Sequence, residues 1–268
     1  MHQTRVIART LLALVVGVLI ACLSHRASAA TRSIANNIAL SPTPTSAPEA
    51  LRCGNDAFHR HDYAKAMRWY RKAADQNNDG AQTNIGLLYD DGDGVAQDHA
   101  EAMRWYRKAA SRNYSIAQYD IGVLYDQGRG VPQDYAEAMR WYRKAASQNN
   151  SIAQLDIGYL YFRGAGVVQD SAEAMRWYRK AASQNNSIAQ TNIGIFYALG
   201  DGVVQDYAEA MRWYRKAASQ NNSVAQYKIG VLYAQGGGVV QDYAEARSWM
   251  QKSAANGQID AKAWLVSH

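Results

Sequence analysis

DYAEAMRWYRKAASQNNSIAQLDIGYLYFRGAGVVQ, residues 134–169, holds two helices with legible ends, and its reading decides the fold. Asp134 stands where an N-cap belongs, with Glu137 three residues on, the spacing of a capping box. Apolar and small residues then recur at Tyr135, Ala138, Met139, Tyr142, Ala145 and Ala146, a helical period, and Trp141 borders the same face. Asn149 is a residue type that tolerates the left-handed backbone at a helix end, so the C-cap is placed there. Ser151 with Gln154 reads as a second capping box, opening a shorter helix that buries Ala153, Ile157, Leu160 and Tyr161. Gly164 and Gly166 break that helix before the next cap, Asp170.

The unit returns with a period of 36 residues. Asp62, Asp98, Asp134, Asp170, Asp206 and Asp242 open equivalent segments, and MRWYRKAA recurs unchanged from Met67, Met103, Met139, Met175 and Met211. The sixth copy degrades to RSWMQKSA, residues 247–254, where Gly257 takes the place of Asn149. Neither helix can bury its apolar stripe alone, so neighbouring pairs must stack. The composition agrees: 18 Tyr and 7 Trp against 3 Phe suit many thin, similar layers better than one deep core. The fold expected is all-α, a right-handed α/α superhelix of about six helix-turn-helix repeats. Counted from Ala50 it holds about thirteen helices, the last spanning Ala261–His268, with Trp69, Trp105, Trp141, Trp177, Trp213 and Trp249 laddered between layers.

From Ala153 to Ala182 the chain reads A-x-x-x-I-G-x-L-Y-x-x-G-x-G-V-x-Q-D-x-x-E-A-x-x-W-Y-x-K-A-A. This resembles the Sel-one-like repeat, a relative of the tetratricopeptide repeat, and the resemblance covers roughly residues 50–268. The first pair departs from it, with His59-Arg60-His61 in place of the Gly-x-Gly loop. The resemblance implies a superhelix with a concave groove that acts as an adaptor for partner proteins. Some cysteine-rich exported relatives are linked to β-lactam binding or hydrolysis, which makes such an enzyme the first alternative. Those relatives staple each repeat with a disulfide, and this chain has only Cys22 and Cys53.

Ahead of the repeats, Arg5 and Arg9 precede an apolar run from Leu11 to Leu23, shorter than the ~20 residues that span a bilayer. Residues 1–29 read as a signal peptide with two candidate cleavage points. Ala27-Ser28-Ala29 is an A-x-A site before Ala30; Leu19-Ile20-Ala21-Cys22 resembles a lipobox, which would place lipid on Cys22. The expected location is the periplasm or exterior, as a free or lipid-anchored protein. Residues 30–48, with Pro42, Pro44 and Pro48 among Ser and Thr, read as a flexible linker, and 49–268 as the repeat domain. The leader carries three Arg and no acid, so the remainder holds 26 basic and 23 acidic residues, and its near-balance implies no nucleic-acid partner.

Nothing in the repeats has the makings of a catalytic or metal centre. The Gly-x-Gly-Val loops lack the preceding strand and following Lys-Ser/Thr of phosphate loops. Asp90-Asp91-Gly92-Asp93 lacks the distal Glu of a calcium loop. His59, His61, Asp56 and Asp62 occur once, without a second cluster to complete a metal site. No catalytic residue, cofactor or metal is therefore expected. Arg140, Arg143 and Lys144, repeated in five copies, read as a solvated face offset by Glu137.

Variation between copies is more informative, because the shared fold requires no particular residue where equivalent positions differ. The copies differ most on the shorter helix, at Tyr119, Asp120, Val123 and Gln127 and their equivalents, which include Asp156, Tyr159, Arg163, Tyr227 and Lys228. A spacing of four puts most of these on one stripe. In tetratricopeptide-type arrays that stripe lines the groove. Tyr119, Asp120, Asp156, Tyr159, Arg163, Tyr227 and Lys228 are therefore the expected contacts, acidic at mid-array and basic toward the C-terminal end. The expected function is that of an exported, monomeric adaptor for an unidentified protein partner, touching a membrane only through a lipid on Cys22. A lipid-tethered structural spacer is the second alternative.

Overall fold

A computed structural model describes residues 46–268. The signal segment, Cys22 and residues 30–45 of the linker lie outside the described residues. Thirteen helices and no strand occur among the described residues. In chain order they are α1 (Ala47–His59), α2 (Tyr63–Ala74), α3 (Asp79–Asp91), α4 (His99–Ala110), α5 (Ser115–Gln127), α6 (Tyr135–Ala146), α7 (Ser151–Arg163), α8 (Ser171–Ser183), α9 (Ser187–Leu199), α10 (Tyr207–Ala218), α11 (Ser223–Gln235), α12 (Tyr243–Ala255) and α13 (Ile259–Ser267). Odd-numbered helices are the A helices and even-numbered the B helices. Each packs on the one before and the one after it, which makes the fold an all-α solenoid. Helix α1 starts two residues inside the stretch read as linker. Pro48 fits that first turn, where an N–H would have no helical acceptor.

Local chemistry sets the helix ends. Asp134 accepts from the Glu137 backbone N–H at 2.9 Å, and the equivalent Asp caps every other B helix. The left-handed turn after helix B falls at Asn149 and Gly257 as the sequence implies, with φ of 61° and 91°. Neither capping box closes: the Glu137 carboxylate accepts from Arg140 and Trp141, while the Asp134 N–H donates to the Tyr125 carbonyl. Asn150, one residue earlier than Ser151, is the N-cap, and its side chain accepts from Ile152 and Ala153. Gln154 is buried and linked across the repeat boundary instead. Gln184 donates to its Oε1 at 2.7 Å, and Gln148–Gln118, Gln220–Gln190 and Asn256–Gln226 repeat the bond.

Each core layer packs a B helix between the A helix of its own repeat and the A helix that follows. The expected tryptophan ladder exists at its rim: Trp105, Trp141, Trp177 and Trp213 each pack on the preceding layer but stay half-buried. The deepest large side chains are the neighbouring Tyr70, Tyr106, Tyr142, Tyr178 and Tyr214. Each packs its ring against a glycine on the A helix of the same repeat. A Cβ on Gly158 would fall 2.7 Å from Tyr178 Cδ1 and Cε1, so the glycine of the I-G motif is the seat of the tyrosine ring. Tyr161, expected in the core, is half-buried, and its hydroxyl accepts from Arg143 at 2.8 Å.

The A-to-B loop is closed by the constant Gln-Asp pair. Gln169 donates to the Phe162 carbonyl at 2.8 Å and the Asp170 N–H to the Tyr161 carbonyl at 3.0 Å. Gly166 has φ of 69° and lies against the start of α6, where a Cβ would come within 2.7 Å of the Tyr135 backbone. This contact between successive repeats accounts for the second loop glycine.

Candidate partner-binding surface

The variable stripe lies on the A helices, and packing claims part of it. Leu155, Thr191, Asn192, Ile195, Val123 and Lys228 are buried, whereas Tyr119, Asp120, Asp156, Tyr159 and Tyr227 are half-buried and Arg163 is exposed. Six of the seven expected contacts meet as three groups along the array. Tyr119 donates to Asp156 Oδ2 at 2.9 Å across a repeat boundary and stacks on the Tyr142 ring, centroids 5.5 Å apart. Arg163 donates to Tyr159 Oη at 3.2 Å, its guanidinium 5.4 Å above the ring. The Lys228 ammonium sits 5.8 Å over the Tyr227 ring.

The electrostatics of the stripe are uneven. Lys228 is only 8% exposed, so the charge expected at the C-terminal end of the groove is held within the packing. Burial pulls its pKa below the ordinary lysine range, and Asp260 opposes the shift. At mid-array, Asp126 joins the first group through Tyr142, whose hydroxyl donates to Oδ2 at 3.1 Å. Burial raises the Asp126 carboxyl above the usual range, while the Tyr142 bond and Arg163 oppose it. Sequence reasoning missed Asp126, although the signal was there: later copies have Phe162, Ala198 and Ala234 in its place. Its equivalent Asp90 is buried and pairs with His99 and Arg129, both at 2.9 Å.

The arrangement offers aromatic rings and hydrogen-bonding side chains on a rigid helical face, which is the equipment of a binding surface. Among the described residues no group of three or more His, Cys, Asp or Glu is placed to hold a metal. Among them Cys53 is a free thiol, and no helix is long and apolar enough to cross a membrane.

The family profile for the Sel1 repeat matches six consecutive segments, residues 50–78, 80–114, 115–150, 151–186, 187–222 and 223–258. The chain belongs to the Sel1 repeat family. A Sel1 repeat protein from Oxalobacter formigenes is 38% identical, with a TM-score of 0.74 over 79% of this chain and 86% of that one. A protective antigen of uropathogenic Escherichia coli with the same fold is 35% identical, with a TM-score of 0.70 over 82% of this chain. This Sel1 repeat chain spans about half the length of the E. coli protein, 48% of it. No curated protein matches it.

Proposed function

We propose that this Sel1 repeat chain is an exported, non-catalytic scaffold that holds a segment of a partner protein along the A-helix stripe. The observation that carries the reading is the pattern of variation between copies. Residues that seat the tyrosines, close the loops and cap the B helices hardly change, while no two copies carry the same combination of residues at the four variable A-helix positions. A surface that differs at each step along a constant frame suits an aperiodic ligand such as a polypeptide. Tyr159 and Arg163, stacked and accessible, are the best-placed anchors, since Tyr and Arg bury large areas while keeping polar contact.

The test begins with the immobilised chain and an envelope extract, from which the partner is identified. Affinity for that partner is then measured for Tyr159→Ala and Arg140→Ala. A loss of about 1 kcal/mol or more at Tyr159 with little at Arg140 supports the stripe. The reverse pattern moves the partner to the B-helix face and sinks the assignment.

A further inference from the structure

The B-helix face poses the opposite puzzle: it is exposed, yet it does not vary. Arg104, Arg140, Arg176 and Arg212 have side chains 80%, 77%, 74% and 75% exposed. Packing asks for no guanidinium there. Each pairs with a Glu three residues earlier, but exposed pairs of this kind contribute little. The first copy separates the two roles. Lys65 replaces the Glu, and Arg68 is retained although no pair can form with it. Arg143 and Lys144 recur with equal strictness, Lys144 standing 3.8 Å over the Trp141 ring. Helices α2, α4, α6, α8 and α10, with their Asp caps, hold sixteen Lys and Arg against nine Asp and Glu.

A second row runs beside the cations. The position two residues before each of the last three Asp caps is Val168, Val204 or Val240, and these side chains are 87%, 88% and 88% exposed. Ala96 and Pro132 occupy it earlier, so it is apolar in all five loops. Val240, Arg215, Tyr233 and Trp249 line one surface concavity together with Asp242 and Glu245, which places the valine beside one cation of the row and the indole. The 36-residue period repeats that grouping at Val204 with Arg179 and at Val168 with Arg143.

We propose that the B-helix face docks on an anionic lipid surface, with the Arg and Lys rows over the headgroups and the exposed valines entering the interface. A uniform repeated face suits a uniform ligand. The valines favour a bilayer over a dissolved polyanion, which gains nothing from an exposed aliphatic side chain. Half-buried Trp and Tyr beneath long cationic side chains are the residue set of a membrane–water boundary. This face is separate from the A-helix stripe, so either assignment can fail alone.

The full chain would be sedimented with vesicles of phosphatidylcholine alone and of phosphatidylcholine mixed with phosphatidylglycerol. The apolar run Leu11–Leu23 is common to the wild type and every variant compared, so the ratio of the two partition coefficients isolates the effect of lipid charge. Each cation near such a surface contributes about fivefold, so combining Arg140→Gln, Arg176→Gln and Arg212→Gln should cut that ratio on the order of 100-fold. Combining Val168→Ser, Val204→Ser and Val240→Ser should weaken association with the phosphatidylglycerol vesicles while leaving binding to soluble polyphosphate unchanged. All six positions are exposed, and an unchanged melting curve checks that each variant is folded. An unaltered ratio in the arginine variant, or polyphosphate binding with no preference for phosphatidylglycerol, overturns the proposal.

Discussion

Replacing Gly158 by Ala should destabilise the array, although alanine is the better helix former. The substitution adds a methyl 2.7 Å from two carbons of the Tyr178 ring and 3.2 Å from the Ala174 carbonyl oxygen. The ring is 1% exposed and packed within a core layer. Overpacking of this kind costs about 1–3 kcal/mol, while the gain in helix propensity is at most about 1 kcal/mol. The net expectation is a loss of about 1–2 kcal/mol. The molecule supplies its own control in the degenerate sixth copy. Met250 replaces the tyrosine there, and the closest atom to a Cβ on Gly230 is the Met250 terminal methyl at 2.9 Å. A flexible thioether side chain can swing aside, so Gly230→Ala should cost less than Gly158→Ala or nothing. Urea titrations followed by circular dichroism, with both variants in the full chain, read the difference. Equal effects at the two glycines, or a stabilised Gly158→Ala, would refute the seat-and-ring account of the core.

The paired aromatic positions should separate in the same assay. Tyr142→Ala should cost about 3–5 kcal/mol through the cavity it leaves, and Trp141→Ala clearly less, because the indole is only half-buried. Lys228→Met should raise stability at neutral pH. The folded-state pKa is depressed, so the folded chain binds fewer protons than the unfolded one between the depressed value and the ordinary lysine value. Wild-type stability attributable to Lys228 therefore rises with pH through that window, and the advantage of Lys228→Met should shrink as the pH rises through it; an advantage independent of pH from neutral to alkaline would contradict the assignment. Mass spectrometry of the mature N-terminus should find either a free Ala30 or a lipid-modified Cys22, and an intact Met1 on exported material would refute both.

How far the sequence could be read follows from where each determinant lies. Asp134 caps a helix through the N–H three residues on, and Gly164 ends one, so the helices were legible from a single copy and the solenoid from their repetition. Features that need the next repeat were not. Gln154 sits where a capping box would want it, but its partner Gln184 is thirty residues on, so its role belongs to the stacking. Asn150 and Ser151 are both cap formers, and which of them caps is settled by which side chain reaches Ile152 and Ala153. Trp141 and Tyr142 are fixed neighbours in every intact copy, so variation could not rank them. Position decides it. Tyr142 follows Ala138 by four and precedes Ala145 by three, at the centre of the stripe, while Trp141 is turned a hundred degrees toward the rim. The glycine opposite the tyrosine then completes the site, and a residue with no side chain leaves no mark in any hydrophobic pattern. The same blindness covers Lys228, whose position looks like an exposed variable charge until α13 supplies Asp260 beside it. In a repeat array, a lone sequence copy shows what each unit needs for itself, and the burial of its variable positions is decided by the copy that follows.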